Sequence, residues 1–187
     1  ILGAALTILS DGTAPWEDRP LPVADLGTLP GTRGVPDPGD DTGPADRVVR
    51  SWDAVIYRAS FSVRDAPADD LVAEVVLDGP AVWEPTQLAA LELSGCPGGA
   101  TLLDGGRRVR CIVGRVEAPP AVTVALDLSA QVAGSALQGD EVAASVAVRA
   151  AGAASDPDPA NCPVPRPEGC DAAAPTVAVS AAPAAEL

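Results

Sequence analysis

From residue 48 onward, hydrophobic and polar residues take turns along the chain. In "AVIYRASFSV", residues 54–63, Val55, Tyr57, Ala59, Phe61 and Val63 share one face, while Ile56, Arg58, Ser60 and Ser62 share the other. A period of two over this length predicts a strand with one buried face. "LVAEVVLD" repeats the pattern after the turn "DAPADD" and directs Leu71, Ala73, Val75 and Leu77 inward, so a hairpin or adjacent pairing with the preceding strand is expected. "RRVRCIVGRV" is a further strand. "AVTVALDLSAQV" places Val122, Val124, Leu126 and Leu128 inside, "EVAASVAVRA" does the same for Val142, Ala144, Val146 and Val148, and "TVAVSA" closes the series. "PTQLAALEL" has helical propensity but is short and bounded by Pro85 and Gly95, so it is expected to be a loop with at most one helical turn. Short alternating strands separated by turns, with no helical spacing between them, predict an all-β antiparallel sandwich.

The chain before residue 48 reads differently. Residues 3–9 of "ILGAALTILS" form a possible strand, and residues 10–46 are then dense in Pro, Gly and Asp, a composition that breaks regular elements. Two parts are expected: residues 1–46 as an N-terminal strand with a Pro/Gly/Asp-rich arm, and residues 47–187 as the sandwich. Ala5, Leu6, Thr7, Ile8 and Leu9 carry strand propensity and no charge. They form a candidate interface, because the edge of a sandwich can accept a strand from its own chain or from a neighbouring module. The Pro-rich arm can bridge a gap semi-rigidly, which favours the neighbour. The apolar opening is too short to span a bilayer and lacks a basic flank, so neither a transmembrane segment nor an intact signal peptide is expected in this chain.

Composition narrows the chemistry. The apolar share of 47% consists mostly of Ala, Val and Leu, with 3% aromatics and no Met, so each residue buries little area and a small core gains from cross-links. The absence of Met suggests a processed or excised chain. A net charge of −14 argues against sequence-independent binding to nucleic acid or anionic lipid. All twelve basic residues are Arg, and the chain has no His and no Lys. An imidazole base, a His metal ligand, a Schiff-base lysine and a lysine-derived isopeptide crosslink are therefore excluded.

Spacing pairs Cys96 with Cys111 and Cys162 with Cys170 as structural disulfides, since neither "CPGGATLLDGGRRVRC" nor "CPVPRPEGC" has zinc-ligand spacing. Disulfides imply an oxidising, extracytoplasmic compartment. Each short loop so closed contributes roughly 2–3 kcal/mol in the chain-entropy model.

Three further groups carry candidate chemistry. In "DPGDDTGPAD", Asp37, Asp40, Asp41 and Asp46 supply hard oxygen ligands among glycines, as calcium loops do, although the EF-hand spacing and its final Glu are missing. An acidic solvated linker is the alternative, so no cofactor other than a possible calcium ion is expected. Arg108 and Arg110 share a strand face and can clasp a carboxylate of this chain or of a neighbour. Carboxylate pairs such as Asp69 with Asp70, or Asp78 with Glu84, are expected by chance in a chain with 26 acids and do not make a glycosidase.

The order of "GDDTGPADRVVRSWDAVIYRASFSV", "AVWEP", "LSGC…RVRCIVGRVEAPPAVTVALDLSAQV" and "VAVSAAP" resembles the conserved repeat domain of bacterial, actinobacterial-type surface proteins, the domain-of-unknown-function eleven type. Arg50, Asp53, Val55 and Tyr57 match its "R-x-x-D-x-V-x-Y" strand, and Cys111, Gly114 and Val116 match its "C-x-(I/V)-G-x-(V/L)" strand, over about residues 37–182. The resemblance implies an immunoglobulin-like sandwich used as a stalk or repeat module on a cell surface. The expected function is a non-enzymatic extracellular module of a stalk, adhesin or fibre, partnered by neighbouring copies or modules. A calcium-dependent recognition module for glycan or protein is the alternative.

Overall fold

The computed structural model describes residues 1–12, 47–51 and 53–180. In chain order its elements are β1 (Leu2–Ser10), β2 (Val48–Arg50), β3 (Ala54–Val63), β4 (Ala68–Asp78), β5 (Ala81–Trp83), a 3-10 turn (Pro85–Gln87), α1 (Leu88–Ser94), β6 (Ala100–Leu103), β7 (Arg108–Val116), β8 (Val122–Val132), β9 (Glu141–Ala151), β10 (Val164–Arg166), β11 (Gly169–Ala173) and β12 (Val177–Ser180). They form an all-β sandwich of two sheets. One sheet has four strands in the order β1-β3-β8-β5. The other has eight, with the path β10-β11-β9-β4-β7-β6; β12 joins it on β9, and β2 lies parallel to β12.

The alternation in the sequence becomes the two inner faces. Val55, Tyr57, Ala59, Phe61 and Val63 of β3 are buried, and so are Leu71, Ala73, Val75 and Leu77 of β4 and Val142, Ala144, Val146 and Val148 of β9. In β8, Leu126 and Leu128 are buried, while Val122 and Val124 pack only partly against the core. Among the described residues Trp83 is the largest fully buried side chain, and it ties the sheets together. It leaves the four-stranded sheet from β5, and its Nε1 donates a hydrogen bond of 3.2 Å to the Val75 carbonyl of β4 in the other sheet. Its ring meets Tyr57 edge to face, with centroids 5.8 Å apart and planes at 78°. That geometry suits the quadrupoles of two aromatic rings.

Several expectations are corrected. β3 and β4 neither form a hairpin nor pair: β3 lies between β1 and β8, and β4 between β7 and β9. Both edges of β3 are occupied, so "DAPADD" carries the chain across the end of the sandwich to the opposite sheet. The helical segment is longer than one turn, because α1 runs for seven residues after the 3-10 turn and buries Leu91. The boundary at 46/47 also does not separate β1 from the sandwich. Leu2 pairs with Val63, Ala4 with Phe61, Leu6 with Ala59 and Ile8 with Tyr57, and Leu2, Ala4 and Leu6 are buried in the same core as β3 and β4.

Tyr57 provides a probe of this core. Its hydroxyl is buried and has no hydrogen-bond partner among the described residues, and burial pushes the phenol well above its ordinary value. Above a pH of about 10 the unfolded chain therefore loses a proton that the folded chain keeps, and stability falls by up to about 1.4 kcal/mol per pH unit. Below that pH the full contribution is present. Tyr57 is the single tyrosine of the chain, so the phenolate band near 295 nm, taken as a difference against tryptophan-matched controls such as Tyr57→Phe, reports it. We expect phenolate absorbance to appear only together with alkaline unfolding, and Tyr57→Phe to withstand higher pH; phenolate formation in a folded protein contradicts this.

Candidate functional site

The site follows from what the chain does at the outer edge of β1. Along Leu2–Ala4 that edge is covered by the loop after β9: the Leu2 N–H donates to the Ala154 carbonyl at 2.8 Å, the Ala4 N–H to the Asn161 carbonyl at 2.9 Å, and the Asp156 N–H to the Leu2 carbonyl at 2.7 Å. Asp156 is buried, and its carboxylate pairs with Arg64. The Ile1 nitrogen donates to the Arg64 carbonyl at 2.9 Å, which fastens the start of β1 at the same corner. Cys162 follows directly on this covering loop and is bonded to Cys170 on β11, with Cα atoms 5.6 Å apart. The second disulfide thus anchors the loop that closes half of the β1 edge. The "CPVPRPEGC" stretch between these cysteines forms the β10–β11 hairpin, in which Val164 pairs with Asp171.

The first disulfide acts on the other side of the sandwich. Cys96 and Cys111 are both buried, with Cα atoms 5.1 Å apart and 15 residues between them in sequence. The bridge fixes the end of α1 to β7, while the Gly98 N–H donates to the Ile112 carbonyl and the Ile112 N–H to the Gly99 carbonyl, at 2.8 and 2.9 Å. A side chain at Gly95 would come within 2.6 Å of Leu126 and 2.7 Å of Val124, so glycine there lets the chain pass tightly over β8.

Beyond Ala4 the covering loop ends. The alternation of an antiparallel ladder turns the backbone N–H and C=O groups of Leu6 and Ile8 the same way as those of Leu2, away from β3. Among the described residues, no strand or loop pairs with that side of Leu6 and Ile8. A cavity of about 260 Å³ lies alongside, lined by Leu6, Thr7, Ile8, Leu9, Asp11, Arg47 and Pro175, and Leu9 is 47% exposed. A bulge between Ile8 and Ser10 ends the regular ladder. The expected interface residues Ala5–Leu9 therefore sit in a sheet of their own chain, with β3 on one side.

Asp37, Asp40, Asp41 and Asp46 lie outside the described residues. What is described is the two ends of that stretch: the Asp11 carboxylate accepts the Arg47 N–H at 2.6 Å, so the chain departs from the sandwich and returns to it at one place. The described chain on either side of residues 13–46, at β1 and β2, belongs to one sandwich. Among the described residues no group of three or more acidic or cysteine side chains could hold a metal ion.

Several of the charged residues singled out in the sequence find partners within the chain. Arg108 reaches Asp104 at 2.8 Å and Glu74 at 3.6 Å, and Arg110 reaches Glu74 at 3.8 Å. Asp69 pairs with Arg115 at 2.5 Å. Asp78 accepts the Gly79 N–H at 2.9 Å in the β4–β5 turn, and Glu84 is buried where the chain leaves β5. On the outer face of the four-stranded sheet, Arg58 grips Asp127 with two hydrogen bonds of 2.7 and 2.8 Å, which hold its carboxyl below the ordinary carboxylate range. Both side chains are about half exposed, so water screens the pair and it adds little to stability.

No protein-family model matches the chain, and no curated protein matches it. Solved structures with a similar fold include a collagen-binding domain from a Staphylococcus aureus adhesin, 6% identical over 64% of this chain and 87% of that one, with a TM-score of 0.37. The pilus backbone protein RrgB of Streptococcus pneumoniae is 10% identical over 86% of this chain and 34% of that one, with a TM-score of 0.43. A family 123 glycoside hydrolase from Clostridium perfringens is 10% identical over 95% of this chain and 27% of that one, with a TM-score of 0.36. The chain spans about a third or less of the pilus and hydrolase structures that it matches. A sandwich fold by itself does not name an activity.

Proposed function

We propose that this chain is a non-enzymatic structural module of a bacterial cell-surface stalk, adhesin or fibre. The observation that carries the reading is the pair of buried disulfides, each closing a short loop at a rim of the sandwich. Disulfides of this kind persist in oxidising, extracytoplasmic compartments, where a small core of Ala and Val gains most from being stapled. The adhesin and pilus structures with a similar sandwich accord with this reading, as does the resemblance of the "R-x-x-D-x-V-x-Y" and "C-x-(I/V)-G-x-(V/L)" strands to a surface repeat domain.

Such a module serves by folding stably, resisting local opening and joining its neighbours. With β1 held in its own sheet, contact with a neighbouring module uses the open edge of β1 as an acceptor, rather than β1 as a donated strand. Immunogold labelling of intact source cells with antibodies against the purified chain tests the reading. We expect label on the exterior that is lost after proteolytic shaving of live cells; label confined to the interior of sectioned cells overturns it.

A further inference from the structure

Proteins with exposed sheet edges usually shorten them, charge them or interrupt them with Pro, because an unprotected edge templates further pairing. This chain follows that practice at its other edges. β5, β10 and β2 are three residues long and β6 is four; β10 also carries Pro165 and Arg166. β1 departs from it: nine residues, "LGAALTILS", without one charge or proline, at the rim of the four-stranded sheet. The disulfide-anchored loop covers Leu2–Ala4, and the bulge before Ser10 ends the regular ladder, which among the described residues leaves Leu6, Thr7 and Ile8 as a short open rung beside the cavity that Asp11, Arg47 and Pro175 help to line.

We infer that this rung is a self-association site, at which β1 of a second copy pairs antiparallel about a two-fold axis through Thr7. The outward backbone groups dictate the register: Leu6 pairs with Ile8 of the second copy, and Ile8 with its Leu6. Thr7, whose side chain is exposed, then faces Thr7 of the second copy, and Thr–Thr is a favourable cross-strand pair. A single patch meeting itself is what a two-fold interface requires. The choice of a second copy as occupant rests on charge. The chain carries −14 overall, so most faces of two copies repel, and the uncharged β1 edge is where they can approach without placing like charges opposite each other. Pairing limited to three residues makes this a weak dimer that salt strengthens, because screening relieves the general repulsion while the backbone bonds persist. The inference names a second copy as the occupant of the edge that the proposed function gives to a neighbouring module, and it rests on the geometry of β1 and not on a cell-surface location.

Analytical ultracentrifugation of the purified chain tests it. The unmodified protein is expected to pass from monomer to dimer as its concentration rises from about 10 μM to about 1 mM, with tighter association in higher salt. Thr7→Lys and Thr7→Glu each place like charges on the axis and are expected to weaken dimerisation at least tenfold. An equimolar mixture of the two is expected to restore it, since opposite charges then meet. Melting temperatures close to that of the unmodified protein show that the variants remain folded; should one fail to fold, the other alone still reads the loss. A monomer at every concentration overturns the inference, as does a dimer that neither substitution weakens, or a mixture that associates no better than its components.

Discussion

Removing residues 1–11 is expected to abolish cooperative folding, whereas replacing residues 13–45 with a Gly-Ser linker of about five residues is expected to leave the melting temperature within a few degrees. The first change strips β1 from β3, uncovering Phe61, Tyr57 and Ala59 along an edge that eight paired residues now protect, and it removes Leu2, Ala4 and Leu6 from the core. It also leaves the Asp156 N–H without the Leu2 carbonyl. Three buried apolar side chains at about 1–3 kcal/mol each, together with a lost ladder, rival a total stability of roughly 5–15 kcal/mol. The second change touches none of these, because Asp11 and Arg47 already meet at 2.6 Å and a few residues suffice to join them. Shortening the connection even lowers the entropy cost of closing it slightly. Circular dichroism and calorimetry of the two variants provide the check. A fall of more than about ten degrees in the linker variant, well over 1 kcal/mol for a domain of this size, is the contrary result.

The second large effect belongs to Trp83. Trp83→Ala is expected to cost about 3–5 kcal/mol, within the range for emptying a buried aromatic site. In a core whose other members are mainly Ala, Val and Leu, no neighbour is large or flexible enough to fill the space, and Met, the most adaptable filler, does not occur in the chain. Trp83→Phe separates the contributions. It retains an aromatic face against Tyr57 but leaves the Val75 carbonyl without its donor, and is expected to cost less than the Ala variant. Urea denaturation with equal slopes for the three proteins measures the difference; an Ala variant within 1 kcal/mol of the unmodified protein contradicts the bridging role of the indole.

Alternation alone marked the long strands β3, β4, β8 and β9 and, apart from Val122 and Val124, the side of each that faces inward, whereas β2, β5, β6, β10 and β11 are too short for a period of two to show. Tyr57, Leu71, Val75, Leu128 and Val146 lie where a period of two puts them, because a strand's facing is set by its own residues and needs no knowledge of its neighbours. Local spacing likewise indicated the cysteine partners that the structure joins, since loops of 15 and 8 residues close readily in a chain of this kind. α1 was less legible: a seven-residue helix is marginal by itself, and it is burial of Leu91 and the anchor at Cys96 that extend it. Which strand pairs with which could not be read from the pattern. β3 and β4 look like a hairpin in sequence, and only the occupation of both β3 edges by β1 and β8 sends β4 to the other sheet. In the same way "ALTIL" carried strand propensity and no address. Its place beside β3, the loop over its first half and the open rung at Leu6–Ile8 are decided by segments more than fifty residues away, because a sheet edge is a property of the assembled strands and not of any one of them.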